Sequence, residues 1–380
     1  MSSSTATSVD QKRMQRVLDL AARGRTTTQP NPMVGCVIVK DGQVVGEGFH
    51  HMAGELHAER VALMQAGESA RGATAYINLE PCCHQGRTPP CTDALIDAGV
   101  VRVVAAMRDP NPLVEGGGFE LLTAAGIEFE RDVLEQEARW LNRGFVSRMV
   151  RKRPWVILKS AATLDGRTAA FDGKSKWITS DAARQEVQTL RASCSAVLTG
   201  IGTVLADDPN LTVRLDGTER QPLRVVLDTD LRMPLEARII GADQRLVIFT
   251  LSGDLDKTSA LIEAGAEVIR LENSDSSIGD KLDLAKVLDE LAKWQCNEVL
   301  VEAGQTLSGA FVQADLIDEL HVFYAGSVLG DHGKAMFQFD APLAFNSKAE
   351  YRIDNTEMIG SDVRVTAVNA NSLESLSSES

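Results

Sequence analysis

The amino-acid sequence predicts an α/β protein of two units. Its 380 residues suit two domains of ordinary size. Short apolar runs of strand length alternate with segments of helical periodicity, the β-α-β-α order of sheets faced by helices. A basic run, Arg148, Arg151, Lys152 and Arg153, ends at Pro154 and interrupts that alternation. Read as a solvated linker, it places the boundary there, giving units over 11–150 and 154–368.

The elements follow in order. Residues 1–10 are Ser/Thr-rich and expected to be disordered. Met14, Val17, Leu18 and Ala21 repeat at helical spacing. Val34–Val39 reads as a buried strand, and Asp41-Gly42 turns it into a hairpin with Val44–Gly48. A helix over His57–Ala66, a strand over Ala73–Leu79, a cysteine-bearing loop, a helix near Thr92–Ala98 and a strand over Val101–Met107 come next. One closing helix is expected over Glu135–Met149. The second half opens on a strand at Trp155–Lys159. Further strands are expected at Ala196–Thr199, Leu223–Leu227, Arg245–Phe249, Glu267–Ile269, Glu298–Val301 and Glu319–Phe323. Helices are expected over Asp181–Arg191, Leu282–Trp294 and Leu307–Ala314, and Asn369–Ser380 as a disordered tail.

Composition excludes some classes. The chain is 44% hydrophobic and 24% charged, ordinary for a globular protein. No run approaches the length needed to span a bilayer, and the Met1–Thr5 start lacks the features of a signal peptide, so cytoplasmic residence is the expectation. A formal charge of −14 opposes a broad nucleic-acid footprint but not a small phosphorylated ligand, which a few arginines can hold. Four of the six cysteines fall between Cys36 and Cys91, which suggests metal binding or catalysis before disulfides. Cys36 lies in an apolar run and reads as a small buried hydrophobe.

The chemistry concentrates in His57-Ala58-Glu59, Pro81-Cys82 and Cys91. One imidazole and two thiolates supply three ligands to tetrahedral zinc and leave the fourth position for water. A His-x-Glu followed by Pro-Cys and a second cysteine is the pattern of zinc deaminases, in which the glutamate shuttles protons and is not a ligand. His57 and Cys91 both open helices, where the dipole favours a thiolate. A structural zinc site is the alternative, with His84 or Cys83 as fourth ligand. The eight residues between Cys82 and Cys91 exceed the short spacing usual for such sites.

That long gap has a counterpart. Leu79–Cys91, with Pro30–Gly35 and Gly46–His50, resembles the deaminase signature of the riboflavin-biosynthesis bifunctional deaminase–reductases. Lys159–Ala169, Ser175–Ser180, Thr203–Arg214 and Val301–Gly304 resemble the same family's reductase portion. The resemblance implies a cytidine-deaminase-like three-layer α/β/α domain followed by a dihydrofolate-reductase-like α/β domain. It implies zinc on His57, Cys82 and Cys91, Glu59 as proton shuttle, and substrate contacts from Asn31, His50, His84 and Arg87.

The second half carries no phosphate fingerprint of its own. Gly200-Ile201-Gly202 lacks the third glycine of a dinucleotide motif, and Ala310-Phe311 stands where a P-loop needs Lys-Ser/Thr. Glu302-Ala303-Gly304 follows a strand and opens a helix, a good phosphate seat. Arg167, Arg191 and Arg214 read by themselves as solvated surface or as phosphate holders. By resemblance, NADPH would meet Ala161, Trp177, Thr203, Asp207 and Thr229, together with the turn formed by Gly304, Gln305, Thr306, Leu307, Ser308, Gly309 and Ala310. The phosphorylated substrate would meet Ser175, Arg191, Leu211, Arg214 and Glu302, with the two arginines clamping its phosphate. The implied reactions are hydrolytic deamination of a diamino-pyrimidinone ribosylamino 5′-phosphate and reduction of the ribosyl group to ribityl. Expected partners are that small phosphorylated pyrimidine and further copies of the chain, with neither nucleic acid nor membrane. Two rivals stand beside this reading: a nucleoside or nucleic-acid deaminase, and a non-catalytic zinc-stabilised module.

Overall fold

A computed structural model describes residues 8–84, 89–112, 114–241, 244–272, 279–342, 344 and 348–377. Contacts divide the chain into Met1–Lys152 with Ser375–Ser380, and Arg153–Glu374.

The first unit runs α1 (Ser8–Ala22), β1 (Gly35–Lys40), β2 (Gln43–Phe49), α2 (Ala58–Ala66), β3 (Thr74–Ile77), α3 (Cys91–Asp97), β4 (Arg102–Ala105), α4 (Gly117–Ala124), β5 (Glu128–Glu130), α5 (Glu135–Leu141) and α6 (Arg143–Val150). Its sheet has the order β2-β1-β3-β4-β5, antiparallel through β2-β1-β3 and parallel through β3-β4-β5. Asp41 and Gly42 both take positive φ, 50° and 76°, the geometry of a two-residue hairpin turn. The core of Cys36, Ile38, Ala58, Ala62, Ile77, Leu95, Val103 and Leu122 lies between the sheet and the helices on one face. Gly46 and Gly48 let α2 approach closely: a Cβ at either would fall 2.2 Å from Ala62 O or 2.5 Å from Ala58 O. That approach seats the first turn of α2 beside the sheet.

Several expectations need correction. Residues 8–10, expected to be disordered, begin α1, and the buried Asp10 accepts from Tyr76 Oη at 2.7 Å and Arg102 Nη1 at 3.1 Å. The single closing helix is two, broken at Asn142, whose φ is −100°. Its side chain is turned inward, accepting from Met33 N at 2.8 Å and donating to Met33 O at 2.9 Å. The basic run is not a solvated linker. Arg148 lies 5.7 Å over the Phe145 ring, Arg151 reaches Ser147 Oγ, and Arg153 pairs with Asp318 at 2.8 Å.

The second unit runs β6 (Trp155–Thr163), β7 (Arg167–Ala169), α7 (Asp181–Ser193), β8 (Ala196–Gly200), α8 (Ile201–Asp207), β9 (Leu223–Leu227), β10 (Leu246–Thr250), α9 (Leu255–Glu263), β11 (Glu267–Arg270), α10 (Leu284–Lys293), β12 (Glu298–Val301), α11 (Gln305–Gln313), β13 (Glu319–Ala325), β14 (Lys334–Ala335), β15 (Tyr351–Ile359) and β16 (Asp362–Asn369). Helix α12 (Ala370–Ser377) follows. The nine-stranded sheet has the order β11-β10-β9-β8-β12-β6-β13-β16-β15, parallel through β13 and antiparallel at its last two pairs; β7 and β14 form a separate ribbon. Of the C-terminal stretch expected to be disordered, residues 369–377 form the end of β16 and α12, and Ser372 Oγ donates to Asp318 at 2.6 Å.

The two sides of this sheet differ. Val156, Leu158, Val299 and Val301 pack into one large apolar core. By the alternation of a strand, Lys159, Glu302 and His321 fall on the other side. Helix α7 covers that polar side through Ala183 and Val187, which meet Phe323.

Candidate active sites

The first site lies at the starts of α2 and α3. His57 is the N-cap of α2, with extended backbone (φ −72°, ψ 156°). Its ring stands off the helix end. Its Nδ1 is 3.3 Å from Cys91 Sγ and 3.6 Å from Cys82 Sγ, and the three ligand atoms lie within 4.8 Å of one another. Zinc bonds of ordinary length at a tetrahedral angle put nitrogen and sulfur roughly 3.6 Å apart, so the triangle fits that ion. Cys82 is held by α3: its carbonyl accepts from Cys91 N at 3.1 Å, and its sulfur from the same N–H at 3.3 Å. The Cys91 thiol and His57 bring the Cys82 thiol down to about 4, while Cys82 and burial raise Cys91. A concentrated negative charge beside an imidazole is what a cation would settle.

Glu59, in the first turn of α2, is 3% exposed, and its Oε2 is buried without a hydrogen-bond partner. Burial first, and the neighbouring Cys82 second, raise its carboxyl above the usual glutamate range. An orphaned buried oxygen beside a His–Cys–Cys triangle suits a group that exchanges protons with something bound there.

Asn31 and His50 come together as expected. Asn31 Nδ2 is 3.0 Å from His50 Nε2, and His50 Nδ1 is 3.1 Å from Leu56 O. Nδ1–H donating to that carbonyl leaves Nε2 to accept from the amide, so the ring is neutral, and burial lowers its pKa further. The His50 and His57 rings meet edge to face at 5.4 Å. His84 is exposed, and Arg87 lies outside the described residues. Sequence reasoning missed Asn78 and Asn142. Both are buried and hold the main chain of Met33, with Asn78 Oδ1 also accepting from Gly35 N at 2.8 Å. A polar residue in an otherwise apolar strand was the one signal for Asn78.

The second site centres on Glu302, just past β12. Arg191 of α7 donates to both its carboxylate oxygens, at 2.5 and 2.9 Å, and its third nitrogen to Thr212 O at 3.1 Å. The expected clamp of two arginines on a phosphate is therefore altered: the fork of Arg191 is occupied by Glu302, while Arg214 is exposed beside the pair. Lys159 joins the cluster. Burial lowers its pKa, against the attraction of Glu302. Its signal was a lysine directly after the apolar run Trp155–Leu158, still within the expected strand.

The remaining residues sit along the carboxyl ends of the parallel strands. Ala161 is on β6, Thr203 and Asp207 are on α8, and Asp207 pairs with Lys176 at 3.5 Å. Ser175 is half-buried in the loop before α7, and the buried Leu211 has a φ of 55°. Thr229 offers its carbonyl to Leu251 N at 3.1 Å and Thr250 Oγ1 at 3.0 Å. Trp177 is 70% exposed, with the Arg184 guanidinium 4.4 Å over one face. Gly304 caps α11 in extended conformation, with Thr306 exposed and Gln305 and Ala310 half-buried. Leu307 packs with the core, Ser308 donates to Ala303 O at 3.2 Å, and a Cβ on Gly309 would fall 2.0 Å from Gln338 O. Leu307 and Ser308 turn their side chains to the fold and Gly309 has none, so a ligand at this turn would meet N–H groups.

Residues 7–107 match the family described as "Cytidine and deoxycytidylate deaminase zinc-binding region", and residues 154–365 match "RibD C-terminal domain". A Haemophilus influenzae "Riboflavin biosynthesis protein RibD" is 46% identical over 93% of this chain and 95% of its own length. Its Escherichia coli counterpart is 45% identical over 95% and 100%. The solved Acinetobacter baumannii RibD superposes with a TM-score of 0.87 at 44% identity, covering 95% of this chain and 98% of its own. A Thermotoga maritima structure described as a diaminohydroxyphosphoribosylaminopyrimidine deaminase/5-amino-6-(5-phosphoribosylamino)uracil reductase superposes with a TM-score of 0.84 at 36% identity, covering 95% and 99%. Fold and site together define a zinc-type deaminase joined in one chain to an α/β reductase. The chain belongs to the RibD family. Riboflavin biosynthesis, zinc and NADPH come with that membership.

Proposed function

We propose that the first unit, 11–150, hydrolytically deaminates 2,5-diamino-6-ribosylamino-4(3H)-pyrimidinone 5′-phosphate. The second, 154–368, reduces the ribosyl group of 5-amino-6-(5-phosphoribosylamino)uracil to ribityl. The observation that carries the first half is the orphaned, buried Glu59 carboxylate beside the His57–Cys82–Cys91 triangle. His57 Nδ1 and the two thiolates would hold zinc, which supplies Lewis acidity and so a nucleophilic water near neutral pH. Glu59 takes a proton from the attacking water and delivers it to the amine nitrogen as the exocyclic C–N bond breaks, releasing ammonia and leaving the water oxygen on the ring carbon. His50, held neutral between Leu56 O and Asn31, fixes the substrate pocket beside that carboxylate. His84 and Arg87 would meet the substrate at the rim.

In the second unit NADPH supplies the hydride. Ala161, Trp177, Thr203, Asp207 and Thr229 would line its place. The N–H groups of the turn from Gly304 to Ala310 would receive its phosphates at the positive end of α11. Arg214 and Lys159 face the substrate phosphate first, while Arg191 keeps Glu302 ionised and aimed into the same pocket. Ser175 and Leu211 close its sides.

A net charge of −14 disfavours nucleic acid and anionic membrane surfaces as partners; a homo-oligomer in the cytoplasm completes the proposal. No helix among the described residues is long and apolar enough to cross a membrane. Incubation of the purified chain with the diamino substrate and NADPH tests the whole reading. Ammonia should appear and NADPH absorbance should fall in succession; loss of either signal would show one unit to be inactive.

A further inference from the structure

We infer that Glu80 is a positioning residue for Cys82, holding that ligand in place through a nest of backbone N–H groups; the inference rests on the metal reading given above. Glu80 is 2% exposed. Its Oε2 accepts from Asp109 N at 3.3 Å and Gly116 N at 3.1 Å, and its Oε1 from Gly118 N at 3.0 Å and Phe119 N at 3.3 Å. Four N–H groups can carry a buried carboxylate that lacks water. Three of them belong to the start of α4, whose own N-cap, Gly116, brings no side chain. Glu80 thus caps a helix more than thirty residues away, at the end where the dipole favours an anion.

The packing is as close as the bonding. A Cβ on Gly118 would fall 2.2 Å from Pro81 O, and one on Gly117 would fall 2.9 Å from Cys83 Sγ. Cys83 Sγ lies 3.8 Å from Val114 O. The 114–118 segment therefore rests directly on Pro81–Cys83. On the other side, the Cys82 carbonyl accepts from Cys91 N and Thr92 N at 3.1 and 3.3 Å. The ligand is held between two helix starts, α3 in front and α4 behind, and Glu80 is the link to the second. It reaches the chemistry only through Cys82.

Glu80→Gln keeps the shape, but its amide nitrogen faces two N–H donors whichever way it turns. Zinc should pass from the intact variant to a colorimetric chelator about 10- to 100-fold faster than from wild type, the range for groups that orient metal ligands. Loaded with cobalt(II), the variant should show a shifted or weakened thiolate-to-metal absorption. NADPH oxidation with pre-deaminated substrate should stay at the wild-type rate, which reports an intact second unit, and the first unit should still unfold in a cooperative thermal transition, which reports that the unit holding Glu80 is folded. Wild-type zinc release with a wild-type cobalt spectrum overturns the inference. If Glu80→Gln does not fold, Gly116→Ala takes its place: its φ of 77° strains an alanine, while its Cβ meets nothing within 4 Å. The same changes are expected at smaller size, and an unchanged metal site in that variant overturns the inference as well. Zinc that fails to bind wild type, or that survives Cys82→Ser, sinks the metal reading itself. Tight zinc in wild type with indifferent Glu80 variants sinks only the role of Glu80.

Discussion

Glu59 and Glu302 are both buried glutamates with opposite surroundings. Glu59 has the Cys82 sulfur as neighbour and an unpartnered oxygen, and burial first and Cys82 second raise its carboxyl above the ordinary range, which suits a group that takes up a proton and gives it back. Glu59→Gln should lower ammonia release by at least about 10²–10⁴-fold, the range for a general acid–base group, and leave NADPH oxidation with pre-deaminated substrate intact. Survival of both activities would remove Glu59 from the mechanism. For Glu302, burial alone would raise the carboxyl, but Arg191 overrides it and the pKa falls below the ordinary 4.5. The pair is 10% and 13% exposed, so Glu302→Ala should destabilise the second unit by about 3–5 kcal/mol. A lowered pKa means this stability is present above pH 4.5 and lost as pH falls through the lower folded value. Denaturant melts at stepped pH should show the gap between wild type and variant closing in acid. A gap that widened would contradict the ion pair.

Elements place these residues by close approach. Helix α2 presents His57 and Glu59 because Gly46 and Gly48 let it lie on β2. Gly48→Ala should cost about 1–3 kcal/mol by overpacking, and slow ammonia release by moving the start of α2. Unchanged release in a well-folded variant would show that α2 tolerates the shift. Asn142 shows the same logic in reverse. The sequence periodicity runs through Glu135–Met149 as one helix, and the break appears only because a buried amide must meet Met33. Asn142→Ala strands the Met33 N–H and should cost about 1–3 kcal/mol in the first unit, read by thermal unfolding.

At the scale of the molecule, two units of separate architecture carry two chemistries with different cofactors. Chelation of zinc should abolish ammonia release and leave the reduction of pre-deaminated substrate unaffected, read by NADPH absorbance. Loss of both activities together would mean that the metal also supports the second unit. Order along the chain also follows the chemistry: the unit that removes the amine precedes the unit that consumes its product.

The sequence by itself determined the two α/β units, most of their strands and helices, and the His57, Glu59, Cys82 and Cys91 set. Each of these rests on local signals: periodicity, turn residues, and ligand types at helix starts. The tertiary structure alone decided which buried polar groups answer one another. Neither the grip of Glu302 on Arg191, nor Lys159 beside it, nor the nest that holds Glu80, nor Asn142 on Met33 follows from spacing, because each joins residues distant in the chain. The same holds for α4, β15, β16 and the chain ends, where weak local pattern is overruled by partners: Asp10 is drawn in by Tyr76 and Arg102, and Ser372 by Asp318. Burial makes an unmet hydrogen-bonding group costly, and only the folded chain shows which distant group meets it.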